Sequence, residues 1–159
     1  MSSNKSILVI IILLIFCSVI FQNLPNNIYP NMLDLSFGLN SLDVQKTFDA
    51  LGEKGRINYI YSALILDTVF PILYVLLFIS ILLKFNERRI FFLFLPILAG
   101  IFDLAENIYI SIMMSSYTFS EISTLQIFFA SLFNQCKWIL CFFSLIFILY
   151  KIISKKINP

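Results

Sequence analysis

Four long apolar stretches, at residues 7–24, 56–83, 90–114 and 122–150, occupy most of this chain of 159 residues. Each is long enough to cross a bilayer as a helix, since about 20 apolar residues at 1.5 Å each span the hydrocarbon core. The chain is 60% hydrophobic and 13% charged, whereas soluble domains average about 45–50% apolar and about 25% charged. The sequence therefore predicts an all-α integral membrane protein, a four-helix bundle that forms one membrane domain over residues 1–159.

The first apolar stretch also fits a second interpretation, that of a cleaved signal peptide. Lys5 precedes it, and the run Ile7–Phe21 resembles the apolar central region of such a peptide. No cleavage motif of the A-x-A type follows in the sequence. We therefore expect an uncleaved first membrane helix, with signal-peptide cleavage as the alternative.

Basic residues are distributed unequally between the two ends of the four spans. One side holds Lys5, Lys84, Arg88, Arg89, Lys151, Lys155 and Lys156, and the other holds Lys46, Lys54 and Arg56. Because Lys and Arg accumulate on the cytoplasmic side of membrane proteins, the pattern predicts an antiparallel bundle with both termini cytoplasmic. The expected location is a cell membrane, which is the cytoplasmic membrane if the source is bacterial. Segment 22–55 is then extracytoplasmic.

A short amphipathic helix is predicted inside this outer segment, over residues 41–51. Ser41 is a suitable N-terminal cap, and Gly52 is a suitable end. At helical spacing Val44 and Phe48 fall on one face, together with Leu51. Such a helix is expected to lie on the membrane surface or over the end of the bundle.

Ionisable residues stand in the middle of three predicted spans, where each costs about 2.5–3.5 kcal/mol on insertion scales. Counted from the cytoplasmic helix ends, Asp103 and Lys137 both lie about 21 Å deep. Asp67 and Glu106 both lie about 25 Å deep. We therefore expect an ion pair between Asp103 and Lys137, and an acid–base pair in which Asp67 and Glu106 share a proton as candidate catalytic residues.

Several neutral and basic side chains accompany these groups on the same helix faces, and they are the candidates for ligand binding beside Asp103 and Lys137. These candidates are Arg56, Tyr74, Asn107, Gln126 and Asn134. Pro71 follows Asp67 by four residues and has no N–H for its carbonyl, so the helix is expected to kink or loosen there.

Several chemistries have no support in the sequence. Histidine is absent, which removes the commonest general base and metal ligand. Cys17, Cys136 and Cys141 form no CxxC motif. We expect no metal and no cofactor, and a net charge of +2 gives no indication of a nucleic-acid partner.

Two functions remain open. In the first, the chain is a membrane-embedded enzyme or carrier that binds or processes a small lipid-like, amine-bearing or cationic ligand with its acid–base groups. In the second, it is an accessory or assembly subunit whose buried charges fix helix packing. Its expected partners are the lipid bilayer and a second copy of the chain or a larger membrane complex.

Overall fold

The computed structural model describes residues 4–85, 87 and 89–157, and helices dominate this part of the chain. The α-helices are α1 (Asn4–Gln22), α2 (Ser41–Tyr61), α3 (Asp67–Lys84), α4 (Ile90–Met114) and α5 (Thr124–Ile157). A π turn (Ser62–Leu66) joins α2 to α3, and single 3-10 turns form at Tyr29–Asn31, Leu33–Leu35 and Phe119–Glu121. Four helical stretches in the described part are long and apolar enough to cross a membrane: α1, the run from α2 through α3, α4 and α5. The all-α prediction with four candidate spans is confirmed.

The amphipathic helix and the second span follow each other without an intervening loop, and Gly52 separates them as two helices. Gly52 has φ +58° and ψ −178°, a non-helical conformation that glycine adopts at little cost. The amphipathic helix therefore ends at the predicted residue. Asn40, rather than the predicted Ser41, is the N-cap, because its side chain accepts a hydrogen bond from the N–H of Asp43. The apolar face of α2 is buried as predicted, with Val44 and Phe48 both in the core.

The outer segment between α1 and α2 contributes to the core instead of only facing water. Ile28 and Leu33 are fully or almost fully buried. They belong to the same apolar cluster as Val44 of α2 and Met113 and Met114 of α4. Burial of these side chains ties the outer segment to one end of the helices.

Helices α4 and α5 pack along most of their lengths. Near one end of this pair, the rings of Phe92 and Phe147 stack with centroids 3.6 Å apart. Near the other end, Tyr109 lies 5.7 Å from Phe129. Helix α3 approaches α4 closely at Gly100, where an added Cβ would meet Val75 Cγ2 at 2.7 Å. Helix α1 packs against α3 and makes few contacts with α5.

Candidate functional site

Asp67 occupies an irregular point in the helical run. Its N–H donates to the carbonyl of Ser62, five residues earlier, which makes the turn before it a π turn. Because Pro71 has no N–H, the carbonyl of Asp67 lacks its usual helical donor, and Asn107 Nδ2 donates to that carbonyl at 2.8 Å instead. The predicted loosening of the helix at Asp67 is therefore a π turn followed by a carbonyl without a helical donor. The hydrogen bond from Asn107 holds α4 against the backbone of Asp67.

A fully partnered charge cluster joins α4 to α5. Lys137 Nζ lies 3.0 Å from Asp103 Oδ1 and 2.7 Å from Glu106 Oε2. The second contact is an ion pair whose angles fall outside hydrogen-bond geometry. Tyr74 Oη donates to Asp103 Oδ2 at 3.1 Å, and Asn134 Nδ2 donates to Glu106 Oε1 at 2.9 Å. Every carboxylate oxygen of these two acids has a partner, and the predicted pair of Asp103 with Lys137 is present.

The expected proton-sharing pair of Asp67 and Glu106 is not formed. Glu106 is completely buried, and its two oxygens face Lys137 and Asn134. Among the described residues it makes no hydrogen bond with Asp67. The depth estimate placed the two acids in one layer, but the long side chain of Lys137 reaches Glu106 and engages it.

Asp34 is a further buried acid that sequence reasoning missed. It lies in the outer segment, where Tyr59 Oη donates to its Oδ1 at 3.2 Å and also accepts from the N–H of Leu33 at 2.8 Å. Burial raises the pKa of the Asp34 carboxyl above its ordinary value, and the positive charge of Lys137 opposes that rise. The only sequence signal for it is an acid between two apolar residues, Leu33 and Leu35.

Asn134 of α5 also fastens the outer segment to the charge cluster. Its Oδ1 accepts from the N–H of Gly38 at 2.7 Å, and its Nδ2 lies 3.3 Å from the carbonyl of Asp34. One turn earlier, Ser131 Oγ accepts from the N–H of Leu39 at 2.8 Å. The outer segment is therefore held on α5 by hydrogen bonds between α5 side chains and its own backbone, as well as by apolar burial.

A partly open cavity of about 530 Å³ lies beside the charge cluster, between α1, α3, α5 and the outer segment. Its charged lining consists of Asp34, Asp67, Asp103 and Lys137, and its aromatic lining consists of Phe21, Tyr29, Phe70, Tyr74, Phe78, Trp138 and Phe142. Asp67 is only 5% exposed, yet among the described residues none donates a hydrogen bond to its carboxylate or forms an ion pair with it. A volume of this size fits a small organic ligand.

Four predicted ligand-binding residues do not line the cavity: Arg56, Asn107, Gln126 and Asn134. Gln126 Oε1 accepts from the N–H of Ser123 at 2.8 Å, so it caps the start of α5. The guanidinium carbon of Arg56 lies 3.8 Å above the ring of Phe48, in a cation–π contact. Helix periodicity placed both on polar faces. In the structure Gln126 is used at the start of α5, whereas Arg56 packs on the ring of Phe48 within α2. Asn107, Asn134 and Glu106 stand behind the wall rather than on it.

No group of three or more Cys, Asp or Glu in the described part of the chain is arranged to hold a metal ion. Among the described residues of the wall, the one cation, Lys137, is already paired, and Asp67 is the one acid whose carboxylate has no partner. Such an arrangement suits a ligand that brings its own positive charge or hydrogen-bond donor.

Comparison with protein families, with curated proteins and with solved structures gives no match to this chain.

Proposed function

We propose that this chain binds a small lipid-like molecule with an amine or another cationic group in the cavity beside Asp67. The observation that carries the proposal is the carboxylate of Asp67, which has no partner among the described residues, is 5% exposed and faces a largely apolar wall. A buried charge without a partner costs several kcal/mol in real proteins. An ammonium group of the ligand offsets that cost with a charge-assisted hydrogen bond.

The proposal includes acid–base processing of the bound ligand as well as binding. Asp67 provides the carboxyl group that reaches the cavity. Asp103 and Lys137 form an ion pair on the same wall and orient the charged group of the ligand beside Asp67. Glu106, which we expected to be the second catalytic acid, supports Lys137 from behind the wall instead.

We also propose an antiparallel bundle in a cell membrane, with both termini cytoplasmic and segment 22–55 outside. The stacking of Phe92 near the start of α4 on Phe147 near the end of α5 supports opposite directions for these two helices. The contact of Tyr109 with Phe129 supports the same arrangement at the other end. The excess of Lys and Arg on the proposed cytoplasmic side supports the orientation.

The test uses the single tryptophan of the chain, Trp138, which lies on the cavity wall and reports on its occupancy. The purified protein in detergent is titrated with N,N-dimethyldodecylamine and, separately, with dodecanol as the uncharged probe of equal chain length. We expect saturable fluorescence changes with the amine at lower concentration than with the alcohol. Asp67→Asn should weaken amine binding by about tenfold or more, since a charged hydrogen bond contributes about 1.5–3 kcal/mol.

Asp49→Asn is the matched control, because Asp49 is an exposed acid on α2. It should bind the amine as the wild-type protein does. Equal affinity of Asp67→Asn and the wild-type protein for the amine would overturn the proposal.

An accessory or assembly role is the second candidate, and the ion cluster of Lys137 with Asp103 and Glu106 favours it because it fixes α4 against α5. In that case the partner is a second copy or a larger membrane complex. Its prediction is the reverse: Asp67→Asn has no effect, whereas changes of outward-facing residues such as Phe143 and Ile101 disrupt assembly.

A further inference from the structure

The cavity has polar groups at one end and an apolar surface at the other. On α3 its wall extends from Asp67 to Phe78, a rise of about 16 Å. On α5 it extends from Lys137 to Leu145, a rise of about 12 Å. The polar end of the cavity holds Asp67 on α3 and Lys137 on α5. Its apolar end is formed by Phe78 on α3 and Leu145 on α5. The cavity is therefore shaped for a molecule with a polar head and an apolar chain.

The cavity also opens sideways, between α1 and α5. Trp138, Phe142 and Leu145 line it and are nevertheless 41%, 60% and 46% exposed, so their side chains form the rim of an opening. Helix α1, on the far side of that opening, packs against α3 and makes few contacts with α5. Because these helices are long and apolar enough to span a membrane, the opening faces lipid.

A second groove continues the cavity along the surface between α1 and α3. It has a volume of about 410 Å³ and shares Ser18, Gln22, Phe70, Tyr74 and Phe78 with the cavity wall. Its remaining lining is mostly aliphatic, from residues such as Leu14 and Leu77. An alkyl chain that leaves the cavity on this side therefore meets a mostly apolar surface.

We infer that the ligand is a single-chain membrane amine, which enters from the bilayer between α1 and α5, places its ammonium group at Asp67 and lays its chain along Phe78 and Leu145. The inference rests on the proposed function and names the substrate class and the entry route for the same cavity. It depends on two features of the cavity. One is the carboxylate of Asp67, which has no partner among the described residues, and the other is the apolar surface at the opposite end.

The charges on the wall argue against a phosphate-bearing lipid head. Asp34, Asp67 and Asp103 all line the cavity, so a phosphate group there would meet like charge. Lys137 is the one cationic residue on the described wall, and its ammonium group is already shared by Asp103 and Glu106. An amine without a phosphate matches this surface, and a phospholipid does not.

The experiment measures Trp138 fluorescence with two amines, N,N-dimethyldodecylamine and the water-soluble N,N-dimethylbutylamine, in the wild-type protein and in Leu145→Phe. The larger side chain fills the apolar end of the opening, so the dodecyl amine should bind about tenfold more weakly. The butyl amine, which does not reach Leu145, should bind the variant and the wild-type protein equally. Leu149→Phe is the control, because Leu149 is exposed one turn beyond the cavity.

The outcomes separate this inference from the proposed function. If Leu145→Phe and the wild-type protein bind the dodecyl amine equally, while Asp67→Asn loses binding, the entry route is wrong and the proposed function stands. If Asp67→Asn keeps full affinity for both amines, the proposed function itself is wrong.

A second measurement needs no variant. The wild-type protein is prepared in a maltoside detergent and loaded with the dodecyl amine. Dodecylphosphocholine, which has the same alkyl chain and a phosphate-bearing head, should not displace the amine. Displacement at equal concentration would contradict the assignment to amines.

Discussion

On the α4–α5 side of the cavity, Asp103 and Glu106 share the ammonium group of Lys137, whereas on the α3 side the carboxylate of Asp67 has no partner among the described residues. All three acids are at least nine-tenths buried. The difference therefore lies in partners and not in depth. A satisfied cluster contributes to helix packing, while an unsatisfied group is held at a cost in stability.

The sequence shows Asp67, Asp103, Glu106 and Lys137 only as ionisable residues within apolar spans, but their partners differ in the structure. Lys137, Asp103 and Glu106 act as a structural support that also carries charge to the cavity wall. Asp67 is placed by a π turn, by Pro71 and by Asn107 so that its carboxyl group faces the cavity. Functional sites commonly use such irregular turns in helices.

The largest expected effect comes from removing the shared cation. Lys137→Met leaves Asp103 and Glu106 buried without their counter-charge, so we expect a loss of about 3–5 kcal/mol in unfolding free energy. Denaturation in detergent, followed by circular dichroism, measures it. Lys46→Met, at an exposed lysine of α2, is the control and should change little. If Lys137→Met is as stable as the wild-type protein, the ion pairs of Asp103 and Glu106 do not contribute to stability. The two sides of the cavity would then not differ in the way described.

A smaller effect is expected where α3 meets α4. Gly100→Ala places a Cβ 2.7 Å from Val75 Cγ2 unless the helices separate, and overpacking of this kind costs about 1–3 kcal/mol. Because α3 carries Asp67, the amine affinity should fall together with the stability. Val75→Ala in the same chain makes room for the new methyl group, so the double variant should recover both. Failure of the double variant to recover either property would contradict a direct contact at this point.

The smallest expected effect concerns Glu87, which with Asp103 and Glu106 is one of three acids that form ion pairs in the described part of the chain. It lies near the proposed cytoplasmic end. Arg89 Nε and Lys151 Nζ lie 2.8 Å and 2.7 Å from its carboxylate and hold its pKa well below the ordinary value. A lowered pKa contributes stability above the unfolded-state value of about 4.3, and that contribution is lost as the pH falls through the folded-state value.

We therefore expect the melting temperature of the wild-type protein to fall more steeply below about pH 5 than that of Glu87→Gln. Thermal unfolding recorded at a series of pH values measures the two slopes. Glu53→Gln, at an exposed acid of α2, should keep the wild-type slope. Identical slopes for Glu87→Gln and the wild-type protein would show that these ion pairs do not contribute.

Simple counting along helices was sufficient for part of the site. The spans were visible as apolar runs, and equal depth from the basic helix ends predicted the contact of Asp103 with Lys137. Both inferences depend only on the rise per residue of a helix, which varies little. The effect of Pro71 on the carbonyl of Asp67 was also predictable, because it follows from a missing N–H.

The remaining features depend on contacts between residues that are distant in the sequence. Asp34 and Tyr59 meet because the outer segment folds back over the helices, and no local periodicity encodes that return. Glu106 pairs with Lys137 instead of Asp67 because a flexible lysine side chain reaches a second acid one turn away. Gln126 caps the start of α5, which the sequence alone does not distinguish from ligand binding because both uses rely on the same amide chemistry.

The most direct measurement compares the unfolding free energies of Asp67→Asn and Asp103→Asn in detergent without ligand. We predict that Asp103→Asn destabilises the protein by about 1–3 kcal/mol, since it removes hydrogen bonds to charged partners. Asp67→Asn should leave the stability unchanged or raise it, because its carboxylate has no partner among the described residues. An equal loss of stability in the two variants would show that Asp67 is a packing residue like Asp103, and would contradict its proposed role as the ligand's counter-charge.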